Sequence, residues 1–317
     1  MKNDSQIIKE SDNIRELLHN STISKTKIFN KREEGFWNQL WTCLDILNQT
    51  EKAIFEFESL DEDSFSKAPN TLTYGLLQNL YVQQDALSNL NESIFGEKIK
   101  VWSRDFPSLF YVRDVRHITI GHPTKKDRNE KGNKYCVIDQ SRLSIAGFSF
   151  WVWSESGVEE QTIKFSELLE KQRETILKEL RKILRKLNTH EVAHKKKFAG
   201  QSLSSLLPKG EPYSFSVLRG LASDYLGWRM FLDLNKKFQE IKDGIEERYG
   251  KLNQALRVPG TKILIDELER IFQRIEEMKY SGSEMEIDLN IYADALVERL
   301  KELKMHLDEI DDEFKIK

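Results

Sequence analysis

Disulfide chemistry, membrane-spanning segments and a one-signed charge field are all missing from this sequence. Two cysteines in 317 residues, Cys43 and Cys136, give neither a disulfide framework nor the paired spacing that ligates a metal. Both read as small core residues, and a reducing cytoplasm is the compartment this composition predicts. No apolar run approaches the length of a membrane span, and the opening Met1-Lys-Asn-Asp-Ser-Gln is too polar for a secretory signal, so no membrane association is expected. The net charge of −3, from 49 cations against 52 anions, excludes a chain drawn as a whole to polyanions. Internal repeats are absent as well. What is present is 39% hydrophobic and 32% charged residues, a soluble, helix-rich mixture with enough material for one large or two modest domains.

Apolar periodicity organises that material into mostly α structure. Residues 1–32 are weakly patterned and read as an N-terminal arm or short helix. A helix over 33–59 carries Phe36, Trp37, Leu40, Trp41, Leu44, Leu47 and Ile54 on one stripe. After a loop at 61–69, a second helix over 72–94 places Leu76, Leu80, Leu87 and Leu90 on its buried side. Gln83 and Gln84 interrupt that stripe; a buried amide needs partners, so they either line a polar pocket or point out at its margin. A third helix runs over 106–120. The β-branched and aromatic residues flanking Ala146-Gly147 then predict a β-hairpin near 134–153. Because Phe148, Phe150, Trp151 and Trp153 make it apolar on both faces, it needs cover from the helices or from a subunit interface. Helices over 158–198, 213–249, 263–279 and 289–314 complete the chain. Pro208-Lys-Gly-Glu-Pro212 marks a boundary between a core over 33–200 and a C-terminal helical bundle over 210–317.

The most informative segment is Tyr111-Val-Arg-Asp-Val-Arg-His-Ile-Thr-Ile-Gly-His-Pro123. It places Arg116, then His117 and, after four more residues, His122 at the end of the third helix, where Gly121 and Pro123 stop helical propagation. This arrangement resembles the HEPN superfamily, whose ribonucleases carry an Arg, a polar Asn, Asp or His, and a His four to six residues on. Arg116, His117 and His122 match that motif position by position. Tyr74–Ala86 is similar to the helix packed beside the motif helix in related bacterial proteins, and the likeness covers roughly the first two-thirds of the chain. The resemblance implies a HEPN-like helical bundle and an endoribonuclease of bacterial toxin or anti-phage defence type. It also implies a homodimer that brings two motifs to one cleft, and an antitoxin or regulatory protein as a further partner.

The residue types suit that chemistry independently. RNA is cleaved when its 2′-OH attacks the adjacent phosphorus, which requires a base, an acid and cationic donors, with no cofactor. An imidazole titrates near neutrality, which makes His122 the acid/base candidate. The planar Arg116 fork matches phosphate oxygens. His117 orients the phosphate or shares proton transfer, and Arg113, almost one turn earlier, extends the cationic face. Residues 125–134 hold five cations against two acids, so Lys125, Lys126 and Arg128 are candidate RNA contacts. A second basic run over 178–197 reads as a solvated face.

Two alternatives belong to other classes. One is a non-catalytic HEPN-like helical module that binds nucleotide, RNA or protein. The other is a zinc-dependent hydrolase, because His190-Glu-Val-Ala-His194 is a literal HExxH in which His190 and His194 would ligate and Glu191 would act as base. Lys195, Lys196 and Lys197, directly after it, are unfavourable neighbours for a dication.

Overall fold

The computed structural model describes residues 5–20, 35–123, 135–154, 157–208, 211–221, 225–250, 259–278 and 286–315. The fold is mostly helical with one small antiparallel sheet, and it divides into two compact units. Among the described residues the first unit holds 5–20 and 35–187, and the second holds those from Asn188 onward.

In the first unit, α1 (Gln6–Asn20) buries Ile7, Ile14 and Leu18. Its entry is fixed by the Ser5 hydroxyl, which donates to Glu51 at 3.0 Å, so the described part of the expected arm belongs to this unit's core. Next come α2 (Gly35–Glu58), the short α3 (Glu62–Ser66) and α4 (Pro69–Phe95). Part of the expected loop at 61–69 is helical because the Asp61 carboxylate accepts from the Ser64 N–H at 2.8 Å, a side-chain cap. Both α4 and α5 (Pro107–Arg116) open on a proline, whose missing N–H costs nothing in a first turn.

The β region departs from the expected hairpin. Three strands, β1 (Tyr135–Ile138), β2 (Gly147–Ser154) and β3 (Gly157–Lys164), form an antiparallel sheet in that order. Residues 158–164, expected to be helical, are therefore a strand, and α6 (Phe165–Phe198) begins only after it. Glu159, Glu160 and Gln161 lack strand preference; full-length pairing with β2, from Gly147–Lys164 to Ser154–Gly157, overrides them. Gly147 is required where the two strands meet, because a Cβ there would stand 2.0 Å from the Ile163 carbonyl oxygen.

Alternation along β2 sorts its aromatics. Phe148, Phe150 and Val152 point inward with Cys136, Ile138 and Ile163, onto Ile54, Phe57, Leu76, Leu80, Val112, Val115 and Phe165. The Phe148 and Phe150 side chains are therefore covered within the unit and need no subunit interface. Trp153, paired with Tyr135 and Val158, lies on the outer face, where all three are exposed; Trp151 is half-buried beside Val137.

The second unit contains the end of α6 and α7 (Glu211–Arg219), α8 (Tyr225–Tyr249), α9 (Pro259–Met278) and α10 (Glu286–Glu313). The single helix expected over 213–249 is interrupted after Arg219, where Gly220 and Leu221 form a turn. Phe231, Leu234, Phe238 and Ile241 of α8 meet Leu268 and Phe272 of α9 and Leu296, Leu300 and Leu303 of α10 in one core. The first unit's boundary at Leu187 lies inside α6, before the Pro208–Pro212 segment that the sequence suggests, because a continuous helix contributes to both cores.

Candidate active site

The motif helix ends in an uncommon way. α5 stops at Arg116, and His117–Gly121 continue as a π-helical turn, closed where the His122 N–H donates to the His117 carbonyl at 2.8 Å. At about 3.6 residues per turn, side chains five apart point away from each other; the wider i→i+5 turn brings them side by side. The His117 and His122 rings accordingly lie 4.6 Å apart, centroid to centroid, with planes at 63°. Thr119 anchors the turn from beneath: its buried hydroxyl donates to the Val115 carbonyl at 2.7 Å. Wide turns of this kind occur frequently at functional sites. His117 is half-buried and His122 exposed, so the imidazole pair opens to solvent on one side.

Arg116 is held against the same turn. Its Nη2 donates to Gln78 Oε1 at 2.9 Å, and its Cζ lies 4.6 Å from the centre of the Tyr81 ring. Its Nη1 folds over Gly121 so closely that a Cβ at that position would stand 2.8 Å away. Its Nε is buried and has no partner among the described residues. Gln78, Tyr81 and Asp85 recur at helical spacing on α4 and meet the motif as one stripe, a set of partners that the sequence reading did not assign. The signal was available in that spacing, but nothing local says that the stripe faces α5.

Arg113, expected as an RNA contact, lies against the scaffold. Its side chain is only 15% exposed, and its Nη2 is 2.7 Å from Asp85 Oδ1. Its Cζ lies 3.9 Å from the Tyr81 ring centre and 5.9 Å from that of Trp102. This guanidinium is already engaged by the scaffold.

Gln83 and Gln84 are fully buried and closed off from solvent. Gln83 Nε2 donates to Glu51 at 3.1 Å, and its Oε1 accepts from Gln172 Nε2 at 2.9 Å. Gln84 Nε2 donates to Gln172 Oε1 at 2.8 Å and to the Leu109 carbonyl at 3.2 Å. The two amides form a polar chain through the helix packing, with Arg173 joining at Glu51 (2.9 Å) and Arg113 at Gln84 (3.4 Å). Lys125, Lys126 and Arg128 lie outside the described residues.

The HExxH segment has a different setting. His194 is buried with its ring against Phe198 and Phe314, and its Nε2 is 2.8 Å from the Arg248 carbonyl, while His190 is exposed. Among the described residues no group of three or more His, Cys, Asp or Glu side chains is placed to hold a metal ion. The thiols are unsuited to nucleophilic work: burial, with the Glu92 charge, pushes Cys43 up to about 12, and burial pushes Cys136 up to about 11. No helix among the described residues is long and apolar enough to cross a membrane. No protein-family model, curated protein or solved structure matches the chain.

Proposed function

We propose that this protein is a metal-independent, HEPN-type endoribonuclease of toxin or anti-phage defence biology. One observation carries the reading: two imidazoles in ring contact stand beside a guanidinium whose partners among the described residues, Gln78 and Tyr81, are neutral. In the proposed reaction one imidazole takes the 2′-OH proton, and the 2′-oxygen attacks phosphorus. The P–O5′ bond breaks, leaving a 2′,3′-cyclic phosphate, and an imidazolium returns a proton to the departing 5′-oxygen. Arg116 stabilises the charge that develops on the non-bridging oxygens. His122, the more exposed imidazole, is assigned the principal proton transfer, with His117 sharing it or orienting the phosphate.

The proposal includes a two-fold homodimer, for which the outer sheet face with Tyr135, Val137, Trp153 and Val158 offers apolar surface. An antitoxin or regulatory protein belongs to the same reading as a further partner. The test is incubation of the purified protein with total RNA in EDTA. Wild type is expected to cleave, and Arg116→Ala and His122→Ala to lose about 100-fold or more while remaining folded by circular dichroism. Wild-type rates from a folded His122→Ala protein would remove the assignment. Mixed Arg116→Ala and His122→Ala subunits should regain part of the activity if the cleft is shared, and a fully active monomer would exclude sharing.

A further inference from the structure

We infer that Tyr81, with Gln78, is a positioning residue that aims the Arg116 guanidinium at an anion without neutralising it. The inference rests on the ribonuclease reading for the identity of that anion, a phosphodiester, but its geometry stands apart from it. Arginine has a long, flexible side chain, and a fork that must meet phosphate oxygens is effective only if it is held before the substrate arrives. Here it is held by the Gln78 amide oxygen at 2.9 Å and the Tyr81 ring at 4.6 Å, with Nη1 occupying the space that a Cβ on Gly121 would crowd. A cation over a phenol ring is attracted by the ring quadrupole, so the platform fixes orientation and leaves the formal charge intact.

The charges around Tyr81 make the same point. Two guanidiniums, Arg113 at 3.9 Å and Arg116 at 4.6 Å, lie against this one ring. Asp85 meets the charge of Arg113 at 2.7 Å. Among the described residues no carboxylate meets that of Arg116, and its buried Nε–H has no acceptor. Among the described residues the local balance thus leaves the Arg113 charge matched and that of Arg116 unmatched. An anion meeting the guanidinium would match that charge. A carboxylate in place of Gln78 would hold the fork as firmly and compete with the phosphate for it.

That asymmetry gives a test that a purely structural role would not pass. Tyr81→Phe keeps the aromatic face and should cleave RNA within about 3-fold of wild type. Tyr81→Leu should lower kcat by about 10- to 100-fold with a small change in KM, the scale expected for a misplaced charge stabiliser. Gln78→Glu should bind anions more weakly than wild type although it adds a stronger partner for Arg116. A second readout needs no catalysis. The Arg116 Nε–H resonance, identified by its loss in Arg116→Lys, is followed by NMR while inorganic phosphate, and separately an uncleavable 2′-deoxy dinucleotide, is titrated in. Wild type and Tyr81→Phe should respond, and Tyr81→Leu and Gln78→Glu should respond less. Equal responses from Tyr81→Leu and Tyr81→Phe overturn the inference, as does a wild-type resonance that ignores both anions. A Tyr81-dependent phosphate response in a protein that cuts no RNA would retain Tyr81 as the positioning residue and remove the ribonuclease reading instead.

Discussion

Replacing Gln172 with leucine isolates the buried polar chain beneath the motif. The side chain is fully buried and makes three contacts: its Nε2 donates to the Leu80 carbonyl at 2.8 Å and to Gln83 Oε1 at 2.9 Å, and its Oε1 accepts from Gln84 Nε2 at 2.8 Å. Leucine fills nearly the same space and removes all three. Leu80 lies inside α4, so its carbonyl keeps its in-helix partner. Gln84 Nε2 keeps the Leu109 carbonyl at 3.2 Å. Gln83 Oε1 is left with no acceptor role at all, fully enclosed. The orphaned buried acceptor costs about 1–3 kcal/mol, and the two bonds whose other partners stay satisfied cost about 1 kcal/mol together, so the expected destabilisation is about 2–4 kcal/mol. Urea unfolding followed by tryptophan fluorescence is the assay, since Trp37, Trp41, Trp102, Trp151 and Trp153 all lie in the first unit and only Trp228 in the second. With a slope of about 2 kcal/mol per molar urea, the midpoint should fall by about 1–2 M. A fall below about 0.3 M would show that water or another group replaces these bonds, and that Gln83 and Gln84 do not depend on Gln172.

Two other outcomes follow from particular contacts and a third from the charge of residues 125–128. Burial by itself raises the Asp311 carboxyl, yet the Ser204 N–H, the Arg248 guanidinium, the Leu203 N–H and the Ser202 hydroxyl together hold it below its usual value. A folded-state value below the unfolded one confers stability above the unfolded value that is lost as pH falls through the folded one. Asp311→Asn should thus destabilise the second unit by roughly 3 kcal/mol at neutral pH, with the difference from wild type fading below about pH 4, as read from melting curves across pH; a difference independent of pH would refute this. His194→Ala should cost about 2–3 kcal/mol through the lost ring packing and the Arg248 carbonyl contact, while His190→Ala stays within about 0.5 kcal/mol. An EDTA-induced drop in melting temperature that His190→Ala abolishes would restore the zinc reading. Joint substitution of Lys125, Lys126 and Arg128 should weaken RNA binding and flatten its dependence on salt, and an unchanged slope would make this segment a solvated charge run.

Local chemistry was enough to read most of the helices. The stripes of α2 and α4 are set by side chains three and four residues apart, which any helix brings to one face, and Arg116, His117 and His122 lie within a single segment. The strand β3 was not legible, because Glu159, Glu160 and Gln161 carry no strand preference and take that form only by pairing with β2. Nor does the sequence show that the helix widens at His117 and brings His117 and His122 into contact. The partners of the two neighbouring arginines were likewise set by tertiary structure: Arg113 meets Asp85, 28 residues earlier, and Arg116 meets Gln78, 38 residues earlier. The setting of the HExxH segment was not legible either, since His194 meets a carbonyl 54 residues away. Periodicity and spacing report what a residue can do within its own helix. Which guanidinium meets a carboxylate and which meets only neutral partners among the described residues depends on packing between distant segments.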